Sequence, residues 1–78
     1  MTPYRNLSGR AGVIAYEAGP DHIIVKFNDG ATYLYTYSAT GENHVEEMKR
    51  MAQKGEGLTT YINQNIRERY QRKLRKKR

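Results

Sequence analysis

The chain has no cysteine and no tryptophan, and only one phenylalanine and two histidines among its 78 residues. Without cysteine no disulfide can staple the fold, and two histidines cannot complete a structural zinc site. Long apolar runs are missing too. The longest, Ala11 to Tyr16, falls far short of the ~20 residues a membrane-spanning helix needs, and Met1-Thr2-Pro3-Tyr4-Arg5 lacks the apolar stretch of a signal peptide. These absences lead us to expect a soluble, cytoplasmic protein. No serine stands in a recognisable nucleophile context, so no catalytic residue can be nominated and a non-enzymatic role is expected. No cofactor, metal or small-molecule substrate is implied.

A chain of 78 residues has room for one domain, and a fold of this size buries only about 60% of the surface its unfolded chain exposes. Net charge is +6, but it is concentrated at one end. Residues 67–78 carry eight Lys or Arg against one acid, which leaves six Lys or Arg against seven acids in residues 1–66. Any argument from basicity to an anionic partner therefore concerns the last dozen residues.

Residues 1–9 mix Pro, Arg, Asn, Ser and Gly without apolar periodicity and read as a loose arm with no assigned role. Val13-Ile14-Ala15-Tyr16 suggests a first strand, closed by the turn residues Gly19-Pro20-Asp21. Ile23, Val25 and Phe27 alternate along a second strand. Asn28-Asp29-Gly30 then supplies residues that tolerate positive φ, so a hairpin should lead into a third strand over Ala31 to Tyr37. The period then changes to that of a helix. Asn43 with Glu46 forms a capping-box-like pair ahead of a helix from about His44 to Gln53, with Val45, Met48 and Ala52 on one face and Gly55 as its terminator. A second helix is expected to open near Thr59 or Thr60 and run past Ile62, Ile66 and Tyr70. Beyond Tyr70 the apolar face fades, and the remainder should fray or become helical only against a partner. The expected fold is α+β: a three-stranded antiparallel meander packed against two C-terminal helices. A loose arm (1–9) precedes the domain (10–70) and a basic tail (71–78) follows it.

Tyr33, Tyr35 and Tyr37 alternate and therefore share one face of the third strand. If Asp29-Gly30 forms a two-residue turn, Val25 pairs with Leu34 and the tyrosines make an exposed aromatic platform able to stack bases. If Asn28-Asp29-Gly30 is a three-residue loop with Gly30 left-handed, Val25 pairs with Tyr33 and Ile23 with Tyr35 on the helix-covered face, and the rings are core. With so few other aromatics, the domain has need of tyrosine rings to fill its interior. Tyr37 is expected to be the more exposed.

Clustered Lys and Arg in the tail suit a phosphate backbone, where they release counterions; their plain alternative is a solubilising, dipole-favoured helix end. Leu74 is the tail's only aliphatic residue, so no apolar face is available to enter a membrane. Gly55-Glu56-Gly57 reads as a helix cap and linker rather than a phosphate cradle, because Glu56 places a negative charge inside it. His22 follows Asp21 directly, so on a strand their side chains should diverge. His44 could touch Glu47 at helical spacing, and both histidines read as surface residues.

Ile14-Ala15-Tyr16, Val25-Lys26-Phe27, Gly30 with Tyr33-Leu34-Tyr35, and Ile62-Asn63-Gln64-Asn65-Ile66-Arg67 with Tyr70 occur in an order that resembles the KTSC domain family, over roughly residues 11–70. That family is named for a segment at the C-terminus of some lysyl-tRNA synthetases and also occurs as small stand-alone proteins; its hallmark is the Tyr-x-Tyr pair. The chain departs from the pattern in lacking a Val-Pro ahead of the first helix and in a longer Ser38–Asn43 connection. The resemblance implies a small α+β fold and an RNA-binding role, with Tyr33, Tyr35, Asn63 and Arg67 as the matching positions of interest; Asn63 would be a structural hydrogen-bonding side chain. Together with the tail, the expected nucleic-acid contacts are Tyr33, Tyr35, Asn63, Arg67, Arg69, Arg72, Lys73, Arg75, Lys76, Lys77 and Arg78. RNA is the favoured partner. The competing expectation is a protein-interaction module whose partner covers a sheet edge or the tyrosine face.

Overall fold

The hairpin at Asn28-Asp29-Gly30 sets the register of the two strands it joins. In the computed structural model, which describes residues 1–5, 12–66 and 69–75, Lys26 is the last residue of one strand to pair, opposite Thr32. Phe27 N–H then donates to the Ala31 carbonyl at 2.8 Å and Gly30 N–H to the Phe27 carbonyl at 3.0 Å. Gly30 sits at φ 93°, where only glycine is unstrained, and the Asp29 carboxylate accepts the Ala31 N–H at 2.9 Å. This is the three-residue loop with a left-handed glycine. It places Val25 opposite Tyr33 and Ile23 opposite Tyr35, on the face that the helices cover.

The fold is α+β, built on a five-stranded antiparallel sheet in the order β1 to β5: β1 (Thr2–Pro3), β2 (Val13–Ala18), β3 (His22–Phe27), β4 (Thr32–Thr36) and β5 (Arg72–Arg75). Both outer strands correct the three-stranded expectation. Thr2 and Pro3, assigned to a loose arm, pair with Tyr16 and Ala15 of β2; proline is accepted because this is an edge. Behind them Tyr4, 6% exposed, drops into the core. The ladder slips between Val13 and Ala15, so that Ile14 bulges outward and is 42% exposed.

Between β4 and β5 lie the helices. The Thr36 hydroxyl accepts the Ala39 N–H and caps a single turn, α1 (Tyr37–Thr40). The main helix, α2 (Glu42–Lys54), starts directly after Gly41, which offers no side-chain cap. Asn43 is therefore inside the first turn, and the expected capping box does not form. Its buried face is the expected one, Val45, Met48 and Ala52, and Gly55 in the left-handed region ends it by donating its N–H to the Met51 carbonyl. The second helix is shorter than expected. A turn of α-helix, α3 (Leu58–Tyr61), widens into a π-turn over Ile62–Ile66, and Arg69 and Tyr70 are no longer helical.

The tail is a strand and not a frayed helix. Gln71 N–H donates to the Leu34 carbonyl at 2.7 Å, and β5 then pairs antiparallel with β4, Leu34 opposite Arg72 and Tyr33 opposite Lys73. Lys, Arg and Leu are good helix formers in isolation. Here the open edge of β4 supplies hydrogen-bond partners, and two contacts steer the chain onto it. The buried Thr40 hydroxyl donates to the Arg69 carbonyl at 2.6 Å, and the Tyr70 ring rests 4.7 Å from that of Tyr33.

The core fills the space between one sheet face and α2, α3 and the π-turn, with Val13, Ile23, Val25, Val45, Met48 and Leu58 fully buried. On the opposite face Ile24 pairs with Leu34, both half-buried. The sheet is coiled enough that Met1, next to β1, and Leu74, on β5, line one shallow pocket with Lys26 and Thr32. Among the described residues no helix is long and apolar enough to cross a membrane.

Candidate nucleic-acid interface

Because alternation puts Tyr33 and Tyr35 on one face and the loop turns that face toward the helices, the two rings separate by depth. Tyr35 is 1% exposed and lies too deep to serve as a stacking platform, which corrects its assignment as a nucleic-acid contact. Burial first, and the neighbouring Tyr33 and Tyr70 hydroxyls second, hold its phenol well above the ordinary tyrosine value. Tyr33 is nearer the sheet margin and half-buried. Phe27 meets it edge-on at 5.7 Å, Tyr70 lies tilted at 4.7 Å, and the Lys73 ammonium sits 5.4 Å from the centre of its ring. A cation over an exposed aromatic face contributes about 0.5–1 kcal/mol.

These rings line an open pocket of about 340 Å³ between the β3–β4 loop and the π-turn. Phe27, Tyr33 and Tyr70 supply aromatic walls and Tyr35 the floor, while Asp29 and Asn63 add polar groups. Three of the four positions singled out by the KTSC resemblance, Tyr33, Tyr35 and Asn63, thus meet in one cavity; the fourth, Arg67, lies outside the described residues. The exposed Asn63 side chain is at the pocket and not in the core.

The cations are distributed by the strand. Lys73 projects on the helix-covered side above Tyr33, whereas Arg72, opposite Leu34, belongs to the other face; both are exposed. Arg69 is exposed in the segment leading into β5, and Arg75 pairs through its backbone with Thr32. Lys76, Lys77 and Arg78 lie outside the described residues. The dipole explanation of the basic end does not apply to Arg72–Arg75, because a strand has almost no macrodipole.

Phe27, Asp29 and Tyr70 were not identified from sequence as site residues. Phe27 and Tyr70 fit an apolar stripe, and Asp29 a turn, so each had a sufficient structural explanation.

Several other titratable groups pair with one another. Tyr37, expected to be exposed, is half-buried and donates its hydroxyl to the Glu46 carboxylate. That bond, with Glu46 charge nearby, pushes the phenol up to about 12. In turn Glu46 is held below the usual carboxylate range by Tyr37 and by Lys49 at 2.9 Å. His22 and Asp21 do meet, Nδ1 to Oδ1 at 3.1 Å, because Asp21 lies in the bend before β3 where strand alternation does not separate neighbours; the contact lowers the Asp21 pKa. The His44 ring reaches the Tyr61 hydroxyl at 2.7 Å rather than Glu47, which pairs with Arg50.

The buried Tyr35 phenol has a consequence for alkaline stability. Its folded pKa is raised, so above about pH 10 the unfolded chain releases this proton while the folded chain keeps it. Stability present below pH 10 is therefore lost as pH rises, by up to roughly 1.4 kcal/mol per pH unit for one proton. Urea unfolding of the wild type and Tyr35→Phe at a series of pH values above about 9 should give a steeper decline for the wild type. Parallel declines would mean that Tyr35 does not titrate differently on folding.

The site is thus a half-buried aromatic pocket with cations on the adjacent edge strand, and no family model, curated protein or solved structure matches the chain that carries it.

Proposed function

We propose that this domain is a non-catalytic module that binds single-stranded RNA, of the kind the KTSC resemblance implies. The observation carrying this reading is the adjacency of Lys73, on hydrogen-bonded β5, to the open pocket lined by Tyr33 and Tyr70. Modules that bind single strands combine a cationic track for the backbone with aromatic faces for the bases, and β5 with the pocket offers both within one strand's width. Phosphates meet the cations of the C-terminal segment, Arg72 and Lys73 among them, while a base enters beside Tyr33. Tyr35 supports the pocket from below.

A second reading rests on a different observation. β5 is an edge strand, and Met1, Ile14 and Leu74 are 55%, 42% and 42% exposed, so a partner protein could pair with that edge or cover the face opposite the helices. Backbone chemical-shift mapping separates the two. Titration with a short single-stranded RNA should perturb Tyr33, Asn63, Tyr70, Arg72 and Lys73 together, with duplex RNA weaker, and the effect should diminish with salt. Silence of these residues toward RNA at low ionic strength rejects the RNA reading. Perturbation of β5 and Ile14 by cell lysate alone would support the second.

A further inference from the structure

The pocket has an acidic group where an interface for a polyanion would be expected to have none. Asp29 lines it, although Lys73 stands beside it. One carboxylate oxygen, Oδ1, accepts the Ala31 N–H at 2.9 Å, and the residue is exposed. Asn63, exposed on the π-turn, contributes an amide to the same cavity. At about 340 Å³ the space is at the lower end of the roughly 300–1,000 Å³ found for small-molecule sites, a size for one heterocycle between aromatic walls.

The geometry points to a guanine-selective base pocket. This inference rests on the RNA-binding reading and deepens it. A carboxylate at the rim of an aromatic pocket selects a base whose edge presents hydrogen-bond donors. Guanine presents two adjacent ones, N1–H and the N2 amino group, beside the O6 acceptor. Adenine places the N1 lone pair against the carboxylate, cytosine the N3 lone pair, and uracil sets a single N–H between two carbonyl oxygens. Asp29 accepts from the guanine N1 and N2 groups, and the Asn63 amide donates to O6. Tyr33 and Tyr70 cover the ring, and the phosphates remain outside along β5. The charges are arranged for a nucleotide held in this orientation: negative where the donor edge enters, positive where the backbone leaves.

The test uses the full chain and four short oligonucleotides, an oligouridine and its variants with one central G, A or C, compared by fluorescence anisotropy. The G-containing strand should bind roughly tenfold or more tighter than the others, in line with a good two-point contact to a base edge. Asp29→Asn keeps an oxygen for the Ala31 N–H but removes the charge and the paired acceptor. It should bring all four strands to one common affinity. Asn63→Ala should reduce the preference part of the way. Equal affinities in the wild type, or a G preference that persists in Asp29→Asn, would overturn the guanine assignment and leave RNA binding intact. If no strand binds, the RNA reading falls and the guanine assignment with it.

Discussion

Replacing Arg72, Lys73, Arg75, Lys76, Lys77 and Arg78 with glutamine is expected to weaken single-stranded RNA binding by about a hundredfold or more at low salt while the domain stays folded. Each phosphate neutralised on a single strand contributes about 0.7 to the slope of log affinity against log salt. Removing six such contacts reduces that slope by about 4. On the same basis these six contacts account for a loss on the order of 300-fold in affinity between about 50 and 200 mM salt, which the variant should lack. Glutamine retains every backbone group of β5, so the pairing with β4 survives. The stability cost is then confined to contacts such as Lys73 over Tyr33, worth about 1 kcal/mol or less. An unchanged salt slope in the variant would show that these side chains do not meet phosphates.

Deleting residues 71–78 is the less informative experiment, because the segment belongs to the sheet. It removes the Gln71 to Leu34 hydrogen bond and all of β5, and exposes the edge of β4. A truncated chain should lose stability as well as affinity, so its weaker binding alone would not identify charge as the cause. Comparing it with the glutamine variant separates the cover that the strand provides from the charge it carries.

The centre of the sheet was legible in the residues because two independent patterns agree there. Alternation of Ile23, Val25 and Phe27 and the turn residues Asn28-Asp29-Gly30 both require the β3–β4 hairpin. Alternation alone could not say which face Tyr33 and Tyr35 take, since a two-residue and a three-residue loop differ by one residue of register and one residue inverts the faces. The main helix was legible for the same reason as the hairpin, with Val45, Met48 and Ala52 repeating at helical spacing up to a glycine stop. β1 and β5 were hidden because each takes its conformation from a neighbour. Two residues including a proline carry no strand pattern, and a run of Lys and Arg has no apolar alternation to set against its helix propensity. The pocket was half legible: the family resemblance picked out Tyr33, Tyr35 and Asn63, but that Asp29 and Tyr70 join them depends on how the π-turn packs over the loop.

Tyr4→Ala should be among the most destabilising single substitutions in this chain, although the residue lies in a segment whose composition resembles a dispensable arm. The ring is 6% exposed and packs in the main core. Its N–H donates to the Ile14 carbonyl at 2.9 Å, which extends the pairing of β1 with β2. Its hydroxyl accepts the Leu58 N–H at 3.3 Å. That last bond substitutes for a missing cap: α3 begins after Gly57, which has no side chain to satisfy the first amides of the helix. Truncating a buried aromatic ring costs about 3–5 kcal/mol, against a total of roughly 4–12 kcal/mol for a domain of this length. Thermal denaturation should therefore show Tm lowered by roughly 12–40 °C, or no cooperative transition at all. Tyr4→Phe keeps the packing and loses only the acceptor for Leu58, so it should cost about 1–3 kcal/mol. A Tyr4→Ala protein melting at the wild-type temperature would mean that the N-terminal strand adds nothing to the fold and that the core closes without it.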